Sequence, residues 1–152
     1  MPIKNYRTKV SVSKTVAEIH QLLVRSGALF VATEYDPSGQ PMYITFAVSL
    51  DGHPLHYRLP RNTEGVIRAL KKQRVAASLL RPDHAAAISW RILKDWADAQ
   101  LAVIEAGQAE LAQVFLPYAV EEPRSYVTVY DTFRQQRTKQ IGAGGAHGNP
   151  RV

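Results

Sequence analysis

The rest of the predicted fold is organised around the segment DHAAAISWRILKDWADAQLAVIEAG, residues 83–107. Alanine and leucine, which favour helices, dominate its interior. Pro82 precedes it, and the carboxylate of Asp83 is suited to accept a backbone N–H of the first helical turn. Gly107 is typical of the residue that follows a helix end, because glycine adopts the left-handed conformation without strain. These signals predict one long helix that begins at Asp83 and ends near Ile104.

The apolar side chains of this helix nearly encircle it. Its polar stripe consists of Arg91, Lys94, Asp95, Asp98 and Glu105. A helix of this kind is packed on several sides, so we predict that it lies in the middle of the domain. Trp90 is predicted in the core and Trp96 at an interface. Because the apolar surface is wider than one sheet face needs, we also predict a homo-oligomer, a dimer or larger, that uses this helix.

Upstream of the helix, three predicted strands alternate with tight turns. They are Ala28–Tyr35, Met42–Ser49 and His53–Leu59. Strict alternation in the middle strand is typical of an antiparallel sheet with one buried face. The predicted core face consists of Met42, Ile44, Phe46, Val48, Leu55, Tyr57 and Leu59. The predicted opposite face consists of Tyr43, Thr45, Ala47, His56 and Arg58. That second face is too polar for another core and suits solvent or a ligand.

The segments before the sheet add one strand and one helix to the prediction. Tyr6–Val12 alternates like a first strand. Thr15-Val16-Ala17-Glu18 reads as a capping box that opens a helix ending at Gly27. The fold class is therefore predicted as α+β, with an antiparallel β-meander packed on one face by an N-terminal helix and by the long C-terminal helix.

The segments after the sheet are predicted to be mainly helical. Asn62 or Thr63 begins a short helix through Lys72, and a shorter helix around Leu111 precedes Pro117. Tyr126–Phe133 has helical spacing, although its alternation over residues 126–130 fits a strand equally well. Residues 1–134 are predicted to form one domain. Residues 135–152 lack an apolar pattern and are predicted to be a flexible, basic, glycine-rich tail.

Composition limits the function classes. The 152 residues contain no cysteine, which excludes disulfides, thiolate catalysis and cysteine-bound metals. No apolar run approaches 18 residues, and the first residues do not resemble a secretory signal, so a cytoplasmic location is expected. There are 19 Lys and Arg against 13 Asp and Glu, a net charge of +6. An excess of this sign favours an anionic partner.

The positive charge is concentrated between residues 58 and 94. This segment holds nine cations and two acids, 9 − 2 = +7, so the rest of the chain is slightly negative. The nine cations are Arg58, Arg61, Arg68, Lys71, Lys72, Arg74, Arg81, Arg91 and Lys94. One interpretation is a binding surface, and the other is a solvated face that keeps the protein soluble.

The sequence lacks the common catalytic motifs. His53 and His56 are the one close histidine pair, and on a strand their side chains point to opposite faces, which does not suit shared metal binding. The glycines at 142, 144 and 145 follow no predicted strand and open no predicted helix, unlike a phosphate-binding loop. We therefore expect a protein that is not an enzyme and has neither a metal nor a cofactor.

One combination of residues remains as a candidate site. Aromatic rings can stack on bases, and guanidinium groups can bind phosphates through two hydrogen bonds. The candidate ligand-binding residues are Tyr43, His56, Arg58, Arg61, Arg68, Lys71, Lys72 and Arg91. Single-stranded nucleic acid, a free nucleotide and an acidic protein would all use such residues, and the sequence leaves these alternatives open. Of these, Arg58, Arg61 and Arg68 are predicted to contact the anion together.

Several short blocks resemble a known group of proteins. PIKNY at residues 2–6, YRLP at 57–60, WRILKDW at 90–96 and LPY at 116–118 are similar to blocks in small proteins encoded by bacteriophages and mobile elements. The resemblance assigns no activity and no site residues. It implies an accessory protein inside a bacterial cell, of a kind that often binds DNA or blocks a host defence. The resulting hypotheses are a counter-defence protein that binds a nucleotide signal or a nucleic-acid-handling effector, a DNA- or RNA-binding protein, and an oligomeric regulatory or assembly protein.

Overall fold

The computed structural model describes residues 1–145 and contains four strands and five α-helices within that range. The helices are α1 Val12–Arg25, α2 Thr63–Lys72, α3 Pro82–Glu105, α4 Leu111–Val114 and α5 Val129–Gly145. The strands are β1 Phe30–Tyr35, β2 Pro41–Leu50, β3 His53–Pro60 and β4 Ala119–Val120. They form one antiparallel sheet in the order β1-β2-β3-β4. The predicted α+β class and the three-strand meander are confirmed.

The inner face of the sheet forms the main core. Ile44 of β2 is fully buried, and the ring of Phe46 stacks on Tyr57 of β3 with centroids 4.8 Å apart. Side chains from α1 and α3, including Leu23 and Trp90, complete this cluster. The alternation in β2 therefore predicted the buried face correctly, and the predicted core position of Trp90 is also confirmed.

The N-cap of the long helix α3 lies two residues before Asp83, where the sequence predicts it. Arg81 is its N-cap and Pro82 is its first residue, so Asp83 lies in the first turn rather than at the cap. Proline suits this first position because its missing N–H has no partner there in any helix. At the other end, Gly107 has a φ of +72°, as predicted, and the N–H of Gln108 donates to Val103. This arrangement satisfies the last carbonyls of the helix.

The predicted strand Tyr6–Val12 is wrong. Residues 4–7 form turns, Asn5 has a φ of +65°, and α1 already begins at Val12. The hydroxyl of Ser11, not Thr15, accepts the N–H of Lys14 and caps α1. The capping box was therefore placed one turn too late. Tyr6 instead packs with Ile3 on a second, smaller core between α2 and α3.

The C-terminal part of the chain crosses the outer face of the sheet. The two-residue strand β4, which the sequence analysis missed, pairs with His56 and Tyr57 of β3. Residues 121–128, here called the strap, then lead to α5. Thr128 and Asp131 exchange hydrogen bonds at the start of α5, like the partners of a capping box. This helix spans the predicted domain boundary between residues 134 and 135, and residues 146–152 lie outside the described range.

Candidate functional site

Arg58 lies beneath the strap and is not the exposed contact that the sequence predicted. Only 3% of its surface is exposed. Its guanidinium donates to Glu34 at 2.6 Å and to the main-chain oxygens of Pro123 and Ser125, and it lies 4.2 Å from the ring centroid of Tyr126. Alternation placed Arg58 on the outer face correctly. The error was to expect that face to be open, because no local pattern shows that residues 123–126 fold back over it.

Two further predicted arginines are held by carboxylates. Arg61, in the connection between β3 and α2, contacts Asp36 at 3.3 Å and donates to the main-chain oxygen of Pro41, which joins this connection to the β1–β2 turn. Hydrogen bonds from the Ser38 side chain and the Gln40 backbone, with a contribution from Arg61, lower the pKa of Asp36 to about 2. Arg91 of α3 contacts Glu18 of α1 at 2.6 Å. These contacts connect elements of the fold.

The aromatic candidates also have partners. His56 contacts Phe30 across the outer face, with ring centroids 5.8 Å apart. The Tyr43 ring lies 5.5 Å from Tyr126 and 5.6 Å from the Arg58 guanidinium carbon. Tyr43 and Arg58 therefore lie close together as predicted, but they adjoin the strap. Arg61 and Arg68 occupy different surroundings.

The cationic segment 58–94 separates into two groups in the structure. Five of its nine cations contact a carboxylate, and four of those carboxylates lie outside the segment, at residues 18, 34, 36 and 98. The other four form no ion pair with any residue between 1 and 145. These four are exposed and lie on the second half of α2 and just beyond it. We call Arg68, Lys71, Lys72 and Arg74 the α2 cationic patch.

Helix α2 orients the patch through its packing. The side chain of Asn62 accepts the N–H of Gly65 and caps the helix. Val66 and Leu70 are buried against α3, which turns the opposite side of α2 toward solvent. Lys71 and Lys72 lie in the last turn, where positive charge also complements the helix dipole. Three predicted site residues, Arg68, Lys71 and Lys72, are thus brought together by one helix.

A cavity of about 570 Å³ lies between the outer face, the Pro117–Tyr118 turn and the start of α5. We call it the tyrosine cavity. It is lined by Tyr43, Arg58, Pro60, Pro117, Tyr118, Tyr126, Thr128, Tyr130 and Asp131. Sequence reasoning found Tyr43 and Arg58 but missed the other tyrosines. The spacing of Tyr126 and Tyr130, four residues apart, was visible as a helical signal, but nothing in it indicated a cavity.

Another cavity, of about 960 Å³, is an open groove near the starts of α1 and α3. Each of its two histidines forms a hydrogen bond through Nε2. The partner of His20 is the Thr33 hydroxyl at 2.8 Å, and that of His84 is the Tyr6 carbonyl at 2.7 Å. Burial lowers the pKa of His20. Within residues 1–145 no cluster of three or more His, Asp or Glu could hold a metal ion.

The apolar surface of α3 is largely covered within the chain. Trp96 packs edge-on against Phe115 and Tyr118, with centroids 5.2 and 5.6 Å away. Trp96, predicted at an interface, is thus partly buried by residues of its own chain. The oligomer was predicted because the apolar surface of α3 is wider than one sheet face needs, but α1, α2 and residues 111–118 pack on much of that surface within the chain. The oligomer stays a prediction, and light scattering at micromolar concentration tests it.

Comparison of the chain with protein-family models, with curated proteins and with solved structures gives no match in any of the three. Among the described helices, none combines the length and the apolar character needed to cross a membrane.

Proposed function

We propose that this protein is a non-enzymatic accessory protein that binds nucleic acid through the α2 cationic patch. The observation that carries the proposal is the separation of the cations in segment 58–94. Five are engaged by carboxylates, whereas four adjacent ones are exposed and have no ion pair in the described chain. Cations of this kind gain affinity for phosphates by releasing the counterions condensed on a nucleic acid.

The arrangement favours an extended polyanion over a small nucleotide signal. A nucleotide pocket needs several cations around one enclosed space. Arg58 is neutralised by Glu34, Arg61 by Asp36, and Arg68 lies on α2, so the three arginines predicted to act together do not surround one ligand. An exposed patch on one convex helix instead suits successive phosphates of a strand.

The resemblance to phage and mobile-element proteins supports a bacterial host cell as the setting. There, binding would act as counter-defence, either by shielding nucleic acid or by competing with an effector that handles it. If the protein instead blocks an effector that handles nucleic acid, we expect it to use the same α2 cationic patch.

The proposal is tested by fluorescence anisotropy with labelled single-stranded DNA, duplex DNA and RNA. A triple variant, Arg68→Gln, Lys71→Gln and Lys72→Gln, is expected to bind more weakly at each salt concentration. The slope of log affinity against log salt is expected to fall by about 2 to 3, because each lost phosphate contact contributes roughly 0.7 to 0.9.

The matched control is Arg134→Gln, Arg137→Gln and Lys139→Gln on α5, which removes the same charge elsewhere. These three residues are also exposed. Equal losses in both triple variants would mean that net charge alone drives binding. Unchanged affinity in the α2 variant would also contradict the proposal.

A further inference from the structure

We propose that the tyrosine cavity binds a planar, uncharged aromatic ring of the nucleobase class. The cavity volume of about 570 Å³ lies within the range of roughly 300 to 1,000 Å³ that is common for small-molecule sites. Its lining is mainly tyrosine and proline, with a few polar groups. This combination is typical of a site that holds a flat ring by stacking and orients it by hydrogen bonds.

The walls of the cavity are held in place from outside. Tyr118 is packed from behind by Trp96. Tyr43 and Tyr126 contact each other at 5.5 Å and a tilt of 58°, which leaves no space for a ring between them. A guest therefore stacks against the open sides of the tyrosines.

Two of these tyrosines present large unburied surfaces. Tyr126 is 60% exposed and Tyr130 is 53% exposed, although both line the cavity. The adjoining Phe133 on α5 is 61% exposed. Monomeric proteins rarely leave adjacent aromatic side chains uncovered, and such patches commonly mark binding sites.

The charges at the cavity argue against a phosphate inside it. The guanidinium of Arg58 is neutralised by Glu34 at 2.6 Å and donates to two main-chain oxygens. The carboxylate of Asp131 accepts hydrogen bonds from the N–H and the hydroxyl of Thr128. No uncompensated cation therefore lines the space, which suits a neutral ring.

Among the residues that line the cavity, one buried polar side-chain atom, Nε of Arg58, has no hydrogen-bond partner in the described chain. Arg58 is 97% buried, from its 3% exposure, and its Nε–H has no acceptor among residues 1–145. A buried donor without an acceptor is unfavourable, because it has lost its hydrogen bonds to water without replacement. Arg58 lines the cavity, and each nucleobase carries at least one hydrogen-bond acceptor at its edge, either a carbonyl oxygen or a ring nitrogen.

The test is a calorimetric titration of the full chain with adenosine, guanosine, cytidine and uridine, then with the corresponding monophosphates and with short single strands. Tyr130→Ala is expected to weaken binding by about 5- to 150-fold, which corresponds to the roughly 1–3 kcal/mol of one stacked base. Tyr130→Phe keeps the ring and is expected to bind like the wild type. The control Tyr35→Ala removes an equally exposed tyrosine outside the cavity.

The outcomes separate this proposal from the α2 cationic patch. If nucleosides still bind to the α2 triple variant, the result supports a site for a neutral ring. If strands bind but nucleosides do not, and Tyr130→Ala abolishes the binding of strands, the ring that enters the cavity is a base within a strand. The proposal is overturned if neither nucleosides nor strands bind in a Tyr130-dependent way, if Tyr35→Ala weakens binding as much as Tyr130→Ala, or if only monophosphates bind and the α2 variant abolishes that binding.

Discussion

The two faces of the sheet are built from the same three strands but are covered in different ways. The inner face, with Ile44, Phe46 and Tyr57, is sealed by α1, by α3 and by Phe115. On the outer face the strap covers Arg58, which is 3% exposed, whereas Phe30 stays 44% exposed. The difference shows that alternation predicts which residues share a face, whereas coverage of that face depends on distant parts of the chain.

The largest expected effect comes from truncating matched phenylalanines on the two faces. Phe46→Ala is expected to lower the free energy of unfolding by about 3–5 kcal/mol, because it removes a fully buried ring that stacks on Tyr57. Phe30→Ala on the outer face is expected to cost less than about 1 kcal/mol. Urea denaturation of both variants measures the contrast, and similar losses would contradict it.

The next largest effect concerns the strap. Arg58→Met is expected to lower the free energy of unfolding by about 2–3 kcal/mol, because it leaves Glu34 without its partner and releases the carbonyls of Pro123 and Ser125. The strap should also become more accessible, so trypsin is expected to cleave faster after the exposed Arg124. Adding Glu34→Gln should restore part of the stability. An Arg58→Met variant with wild-type stability and cleavage would mean that Arg58 does not hold the strap.

A smaller effect separates paired from unpaired cations. Arg91→Gln breaks the contact with Glu18 between α3 and α1 and is expected to cost up to about 1 kcal/mol. Arg68→Gln, in the α2 cationic patch, is expected to change the unfolding free energy by less than about 0.5 kcal/mol. Thermal denaturation compares the two variants directly. A larger loss for Arg68→Gln would indicate that the patch stabilises the fold.

The smallest expected effect is a pH dependence at Asp36. Hydrogen bonds from Ser38 and Gln40 lower the pKa of Asp36 in the folded protein to about 2, below its ordinary value of 3.8. The ionised carboxylate therefore favours the folded state, and this contribution is complete above pH 3.8 and is lost as the pH falls through 2. The stability difference between wild type and Asp36→Asn should shrink over that interval. A difference that stays constant from pH 4 to pH 2 would contradict this assignment.

For much of the candidate site, the sequence showed which residue types are present but not which residues contact one another. The sequence identified three cations of the α2 cationic patch, Arg68, Lys71 and Lys72, as site residues and counted Arg74 only among the cations of segment 58–94, because charge content and helical spacing are local properties. It also assigned Arg58, Arg61 and Arg91 to the same surface, since a linear count cannot show that Glu34, Asp36 and Glu18 approach from other elements. The tyrosine cavity escaped prediction for a similar reason, because Tyr43 and Tyr126 are separated by 83 positions, 126 − 43, and meet only in the folded chain.

Short-range patterns were enough to predict the long helix, the meander, its buried face and the short cationic helix, because spacing, caps and turn residues act within a few positions. The same patterns misplaced the start of α1. They also predicted a strand at Tyr6–Val12, where polar and apolar residues alternate but the segment does not pair with the sheet. The folded chain was needed to show which cations are neutralised, where the strap lies and how the tyrosines meet. Those outcomes depend on contacts between residues that are far apart in the chain, and no local pattern encodes such contacts.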